Sequence, residues 1–178
     1  MENRILITGF GGQGILFTGK FLAHIGMRFG KEITWLPSYG PEMRGGTAYC
    51  AVILSDGEIC SPIISNPDVL ICMNTPSLDK FENTVVPGGL IITDSSLIDR
   101  SVSRDDVRCV RIPATKIADD NGLKSLANMV IAGKTIRQTG LCEMDILAEV
   151  MRESVSERKK DLFDANMKAL ELGYYWDE

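Results

Sequence analysis

A single histidine, His24, stands in a chain of 178 residues. That scarcity excludes metal centres built on several imidazoles and leaves any Ser-His-Asp relay resting on one residue. The five cysteines, Cys50, Cys60, Cys72, Cys109 and Cys142, include no CxxC or CxxxC pair. Iron–sulfur and zinc-ribbon sites use such close pairs, because a short loop must bring two thiolates to one metal or cluster. Four lie in or beside apolar runs (AYCAVIL, GEICSPII, VLICMN, VRCVRI), which marks them as small buried residues of a reducing compartment. A basic excess is missing too. Against 24 Asp+Glu stand 19 Lys+Arg, a net charge of −5, so no nucleic-acid footprint is present. No apolar run reaches the roughly 18 residues needed to span a bilayer. The opening MENRILITGF carries an acid and a short apolar run before glycines, which is not a signal-peptide pattern. A cytoplasmic protein with no membrane partner is expected.

What is present fits a folded chain. Hydrophobic residues make up 44% and charged residues 24%, a balance that argues against wholesale disorder. A chain of this size buries about 70% of its unfolded surface without help from disulfides or metals. With no repeat, low-complexity stretch or linker, residues 1–178 read as a single domain.

Short apolar runs alternate with segments of helical period, which predicts a Rossmann-like α/β fold with an open, mostly parallel sheet. The expected strands are Arg4–Thr8, Glu32–Leu36, Thr47–Ser55, Asp68–Met73, Leu90–Thr93 and Val107–Ile112. Asp56-Gly57 between two extended runs predicts an antiparallel hairpin, with Glu58–Ser61 as its second arm. A first helix is expected from Ile15 to Phe29, with Ile15, Gly19, Leu22, Gly26 and Phe29 on the sheet-facing side. Lys20, His24 and Arg28 form the opposite stripe, a solvated basic face or a partner contact. The C-terminal third reads as helices, over 114–119, 123–135, 143–153 and 157–172.

Two loops draw attention. Gly9-Phe10-Gly11-Gly12-Gln13-Gly14 sits between a strand and a helix, where glycines let backbone N–H groups approach an anion at the helix N-terminus. The dinucleotide fingerprint also requires an acid closing the second strand, and here that strand ends Trp35-Leu36-Pro37-Ser38. No Lys-Ser/Thr follows the last glycine, so a P-loop is absent as well. A tight turn alone remains an alternative. The second loop, Ser38-Tyr39-Gly40-Pro41-Glu42-Met43-Arg44-Gly45-Gly46, places an arginine fork beside two backbone donors, a fit for phosphate or carboxylate. A surface turn with a Glu42–Arg44 pair is the plainer reading. Both loops follow early strands, so they should be neighbours at the carboxyl edge of the sheet. Asn74 and Asp94-Ser95-Ser96 belong to that edge as helix caps or ligand contacts. Asn128, one amide on an apolar helix, is a buried hydrogen-bonding contact or a subunit contact.

These segments together resemble the gamma subunit, or gamma domain, of 2-oxoacid:ferredoxin oxidoreductases (the pyruvate/ketoisovalerate oxidoreductase catalytic domain family). The resemblance runs in the family's order through GFGGQG, SYGPEMRGGTAYCAVILSD, EICSPIISNPDVLICMNTPSLDKF, VPGGLIITDSSL, IPATKIAD and LANMVIAGKT. GFGGQG followed by SYGPEMRGG is far more specific as a pair than either motif alone. The SYGPEMRGGTA wording looks more like the 2-oxoglutarate and branched-chain members than the pyruvate members, and 2-oxoglutarate is the expected substrate. The resemblance implies a complex that oxidatively decarboxylates a 2-oxoacid, transfers the acyl group to coenzyme A and reduces ferredoxin. It further implies alpha, beta and delta chains as partners, with thiamine diphosphate and Mg²⁺ on alpha and beta and iron–sulfur clusters on beta or delta. This chain alone is expected to hold no cofactor, no metal and no catalytic residue. Gly9, Gly11, Gly12, Gln13, Gly14, Tyr39, Gly40, Glu42, Arg44, Gly45, Gly46 and Asn74 are assigned to loops facing a ligand or a partner. A free-standing nucleotide-binding protein and a purely structural interaction module are the competing readings.

Overall fold

The structure, a computed structural model, describes residues 2–38, 47–154 and 160–177. Six strands form one sheet: β1 (Glu2–Gly9), β2 (Glu32–Pro37), β3 (Ala48–Ser55), β4 (Val69–Cys72), β5 (Leu90–Asp94) and β6 (Arg108–Ile112). Their order is β2-β3-β1-β4-β5-β6. β1, β4, β5 and β6 pair in parallel, whereas β3 runs antiparallel to both neighbours, β1 and β2. The fold is therefore the α/β class that the alternating pattern predicts, with one strand reversed inside a parallel sheet.

The antiparallel hairpin exists, but β2 and β3 make it. Glu58–Ser61 forms no strand, and the geometry explains why. Ser55 already faces Glu2 of β1 on one side and Glu32 of β2 on the other, so a strand following Asp56-Gly57 finds no open edge. The turn is held locally instead: the Gly57 N–H donates to Ser55 Oγ at 3.2 Å, and Lys31 Nζ donates to Asp56 at 2.6 Å.

Alternation along the strands sends side chains to two cores. Ile5, Ile7, Val52, Leu54, Ile71 and Ile92 pack under α1 (Ile15–Arg28), α4 (Ala127–Thr139), α5 (Met144–Ser154) and α6 (Lys160–Tyr174). Leu6, Ala51, Leu70 and Ile91 face the other way, under α2 (Thr75–Phe81) and the segment after β5. α3 (Ala114–Asp120) adds Ala114 and Ala118 to the first core. α1 lies close on the sheet: a Cβ on Gly19 would meet Cys50 Sγ at 2.4 Å, and one on Gly26 would meet Leu54 at 2.6 Å. Phe29 departs from the expected buried face and is exposed, because the helix ends at Arg28 and Phe29 is its cap. The basic stripe is only partly solvated. α5 covers it, bringing Ser154 Oγ to 3.3 Å from His24 Nδ1 and Glu149 to an ion pair with Arg28. α4 starts later than its period predicts, because Gly122 and Ser125 both take left-handed φ values and interrupt the helix.

α4 and α6 cross at two glycines. A Cβ on Gly133 would sit 2.1 Å from the Leu170 carbonyl oxygen, and one on Gly173 would sit 1.8 Å from the Val130 carbonyl oxygen. Beside the crossing, the buried Lys134 donates to the Trp176 carbonyl at 2.6 Å and lies 5.0 Å from its ring centre. No helix among the described residues is long and apolar enough to cross a membrane.

Cys50 and Cys72 are buried as expected, and Cys142, which lies outside the apolar runs, is buried as well; burial pushes the three thiols up to about 12, so they stay protonated and unreactive. Cys60 and Cys109 are exposed, which corrects the reading of their apolar neighbours. Cys60 falls outside any strand, and Cys109 lies on β6, an edge strand with sparse cover.

On the lighter face, one ionic cluster ties the segment between β5 and β6 to α2. Arg100 bridges Asp79 and Glu82 at 2.6 and 3.0 Å, while Ser103 Oγ donates to Glu82 at 2.9 Å. Burial alone would raise the Glu82 carboxyl, but the hydrogen bonds from Arg100 and Ser103 outweigh it and hold the group below its ordinary range. A depressed carboxyl stabilises the fold above its unfolded pKa of about 4.3, and that contribution is lost as pH falls through the lower folded value. Urea unfolding between about pH 5 and pH 3 is expected to show wild type losing stability more steeply than Arg100→Ala, in which only Ser103 still offsets the effect of burial on Glu82. Parallel slopes for the two proteins would show that the cluster contributes nothing to the acid limb.

Candidate ligand site at the carboxyl edge of the sheet

Parallel strands deliver their carboxyl ends to one edge, and four connections gather there after β1, β4, β5 and β6. The glycine loop leaves β1 and opens α1. Gln13 pins it: its Oε1 accepts from the Phe10 N–H at 2.6 Å, and its Nε2 donates to the Met73 carbonyl at 3.0 Å. Asn74 Nδ2 approaches the same Oε1 at 3.4 Å. The loop is thereby fixed to the end of β4 by one side chain. Gly14 caps α1 in the left-handed region, at φ 75° and ψ 13°. A Cβ there would strike Asn128 Nδ2 at 2.5 Å.

The backbone N–H groups of Gly11 and Gly12 bond to no backbone acceptor among the described residues. The first-turn N–H groups of α1 have no partner within the helix, and no acidic side chain sits in that turn. This edge of the loop is a donor surface with the positive end of a helix behind it. Concavities flank it on both sides. One, of about 230 Å³, is lined by polar residues including Gln13, Thr115, Asp119, Ser125 and Asn128. The other, of about 310 Å³, is mostly apolar, with Ile15, Leu16, Phe17 and Ala48 beside the glycines. Among the described residues neither lining contains Lys or Arg, so within them an anion relies on backbone donors.

Of the residues expected to face a ligand or partner, Gly9, Gly11, Gly12, Gln13 and Gly14 come together at this edge. Asn74 lies there too, buried as the cap of α2, its Oδ1 accepting from the Ser77 N–H at 2.8 Å. Tyr39, Gly40, Glu42, Arg44, Gly45 and Gly46 lie outside the described residues. Ala48, two positions beyond them, pairs directly with Gly9, so the chain re-enters the sheet beside the glycine loop.

Asp94, expected as a helix cap or a ligand contact, pairs with Thr115, to which the sequence reading assigned no role. The fully buried Asp94 accepts from the Thr115 N–H at 3.1 Å and hydroxyl at 2.6 Å, and from the Ser96 N–H at 3.0 Å. It joins the end of β5 to the start of α3. Thr115 and Asp119 enter the site only through the order of the strands, which no local spacing reveals. No three His, Cys, Asp or Glu side chains among the described residues are placed to hold a metal ion.

Residues 4–176 match the sequence profile of the family described as pyruvate ferredoxin/flavodoxin oxidoreductase. The chain is 40% identical to the ketoisovalerate oxidoreductase subunit VorA of Methanothermobacter thermautotrophicus, over 98% of its own length and 36% of VorA. It thus spans about a third of that relative. It is 32% identical to the 2-oxoglutarate synthase subunit KorC of Methanocaldococcus jannaschii, over 98% of this chain and 93% of that protein. Among solved structures, the keto/oxoacid ferredoxin oxidoreductase gamma subunit of Geobacter sulfurreducens superposes with a TM-score of 0.84. The identity is 26%, covering 98% of this chain and 95% of that one. The 2-oxoglutarate:ferredoxin oxidoreductase of Magnetococcus marinus, solved with 2-oxoglutarate, coenzyme A and succinyl-CoA bound, superposes at 0.85. At 22% identity, over 97% of this chain and 30% of that one, it shows the shared fold.

Proposed function

The chain belongs to the pyruvate ferredoxin/flavodoxin oxidoreductase family, as a gamma-type chain of the 2-oxoacid:ferredoxin oxidoreductases, and on that premise we propose that it completes a multi-chain enzyme on the side of the acyl acceptor. The complex decarboxylates a 2-oxoacid oxidatively, passes the acyl group to coenzyme A and delivers electrons to ferredoxin. Alpha, beta and delta chains hold thiamine diphosphate, Mg²⁺ and the iron–sulfur clusters. The whole chain serves as one gamma domain in the cytoplasm.

Within it, the glycine loop and the Tyr39–Gly46 segment face coenzyme A or the chain that binds it. The observation that carries this is the donor edge formed by Gly11, Gly12 and the α1 N-terminus, opposite two cavities and beside the rung Gly9–Ala48. Such an edge suits the phosphates of coenzyme A, and the arginine those phosphates call for is Arg44. Cluster ligation falls to the partner chains, since the buried thiols here are protonated and scattered.

The substrate is a 2-oxoacid. The SYGPEMRGGTA motif resembles the 2-oxoglutarate and branched-chain members alike, and the likeness to KorC at 32% identity supports 2-oxoglutarate. The higher identity to VorA, 40% against 32% for KorC, favours a branched-chain 2-oxoacid. Native purification tests both levels. The protein is expected to elute with larger thiamine- and iron-containing chains, and the pool to reduce ferredoxin with 3-methyl-2-oxobutanoate, 2-oxoglutarate or both in the presence of coenzyme A. Elution as a lone 19.6 kDa chain would overturn the subunit reading. Rates on each acid rank the substrates.

A further inference from the structure

We propose that the carboxamide oxygen of Asn128 accepts an N–H hydrogen bond from the ligand of the glycine loop, inside the cavity of about 230 Å³ between that loop, α3 and α4. The inference rests on the reading of this edge as ligand-facing, and it assigns the loop's second wall a chemistry of its own.

Asn128 is 3% exposed, and its orientation is determined by what surrounds it. The Gly14 carbonyl can only accept, so the amide nitrogen must face it, at 3.2 Å. The same nitrogen donates to Thr18 Oγ1 at 3.2 Å, and Thr18 Oγ1 in turn donates to the Gly14 carbonyl at 3.3 Å. Both amide protons are thereby committed. The oxygen Oδ1 is buried and has no hydrogen-bond partner among the described residues, on a side chain that lines the cavity. A buried acceptor left unmade is costly, and natural proteins rarely keep one without a use.

The remaining lining shares this acceptor character. Gln13 has its oxygen occupied by Phe10 and Asn74 and one amide proton given to Met73, which leaves it a single N–H for the loop side of the cavity. Thr115 gives its hydroxyl proton to Asp94, so only its lone pairs remain to meet a ligand. Asp119 adds a carboxylate at the rim. Ser125, also at the rim, is the one non-glycine residue among those described with a positive φ, 69°, a local strain of the kind that collects at binding sites. An anion is repelled by this wall and attracted by the N–H groups of the loop facing it. The site is therefore bipolar: phosphate at the glycines, a neutral N–H donor at Asn128. Its volume lies below the roughly 300–1,000 Å³ of a pocket for a whole ligand, so it admits one part of a longer molecule. Coenzyme A carries such a donor in two places, the exocyclic amine of its adenine and the amides of its pantetheine arm.

Calorimetric titration of the assembled complex separates the two sources and tests the bond. The probes are coenzyme A, its inosine analogue (the amine replaced by a carbonyl oxygen) and free pantetheine, each against wild type and Asn128→Leu. Asn128→Leu is expected to weaken coenzyme A binding about tenfold. If adenine supplies the donor, wild type binds the inosine analogue about tenfold more weakly, and Asn128→Leu no longer distinguishes the pair. If pantetheine supplies it, wild type binds both nucleotides alike, and free pantetheine binds wild type about tenfold better than the variant. Wild-type affinity in Asn128→Leu for every probe overturns the proposal. Should that variant fail to assemble, wild type alone decides: indifference to the amine, together with no binding of pantetheine, also overturns it. Arg44→Ala serves to separate the two levels of the argument. Weaker coenzyme A binding in Arg44→Ala but not in Asn128→Leu removes only this bond, whereas indifference to both removes the ligand-facing reading.

Discussion

Gly133→Ala is expected to destabilise the protein by about 3 kcal/mol or more, and to lower its melting temperature by about 6–12 °C for a domain of this size. In isolation the substitution favours a helix, by up to about 1 kcal/mol. Tertiary structure reverses that sign. The new methyl would lie 2.1 Å from the Leu170 carbonyl oxygen and 2.9 Å from the Tyr174 backbone nitrogen. Backbone atoms of a neighbouring helix cannot rotate aside as a side chain does, so α6 must shift as a body and release Lys134 from the Trp176 carbonyl. Gly173→Ala makes the reciprocal collision with Val130, and once one alanine has separated the helices the second meets less resistance. The double variant should therefore cost clearly less than the sum of the two singles. Thermal unfolding followed by circular dichroism measures all three. A melting temperature within about 2 °C of wild type for Gly133→Ala would show that the helices do not cross as described.

Gly14→Ala is the second large effect, and it strikes stability and the proposed ligand site together. A left-handed φ costs an ordinary residue about 1–2 kcal/mol, and Gly14 sits at φ 75°. The added methyl would also lie 2.5 Å from Asn128 Nδ2 and 2.7 Å from its Cγ, so the amide must leave both the Gly14 carbonyl and the Thr18 hydroxyl. With about 1 kcal/mol for each of the two lost bonds, the total approaches about 3–4 kcal/mol. Gly12→Ala is the control. Its φ is also positive, at 93°, but a Cβ there meets nothing within 4 Å. Steady-state kinetics of the complex should show the KM for coenzyme A raised about tenfold by Gly14→Ala, with a much smaller change for Gly12→Ala. Equal effects from the two alanines would assign the loss to backbone strain alone and leave Asn128 out of it.

The residues that announced the fold were those whose neighbours do not matter much. Ile5–Thr8 and Val69–Cys72 are apolar runs of strand length, and any parallel sheet would have taken them. Asp56-Gly57 misled because a hairpin signal says nothing about whether a strand edge is free, and β3 had both of its edges occupied. His24 looked solvent-facing because the helix that covers it arrives from more than a hundred residues later in the chain. The site divides in the same way. Gly9–Gly14 was legible as a loop with donors, since glycine spacing between a strand and a helix is a local property. Its acceptor wall was not, because Thr115, Asp119 and Ser125 reach the glycines only through the strand order. Asn128 falls between the two cases: its oddness on an apolar helix was visible, its partners were not.

The reversed strand β3 also limits how this chain can change length. Gly9 and Ala48 form one rung of an eight-residue antiparallel ladder, so the two motifs flanking the loop edge are joined by a register as well as by a chain. Side chains alternate along that ladder. Inserting one residue at the start of β3 would move Cys50, Val52 and Leu54 from beneath α1 to the opposite core, and Ala51 the other way. Two residues would restore the faces but displace the rung. Insertions within this strand are thus subject to a rule of parity, whereas the turn at Asp56-Gly57, past the last rung, is free of it. Lineages of this chain should record that difference as an uneven pattern of gaps, absent through the ladder and common just beyond it.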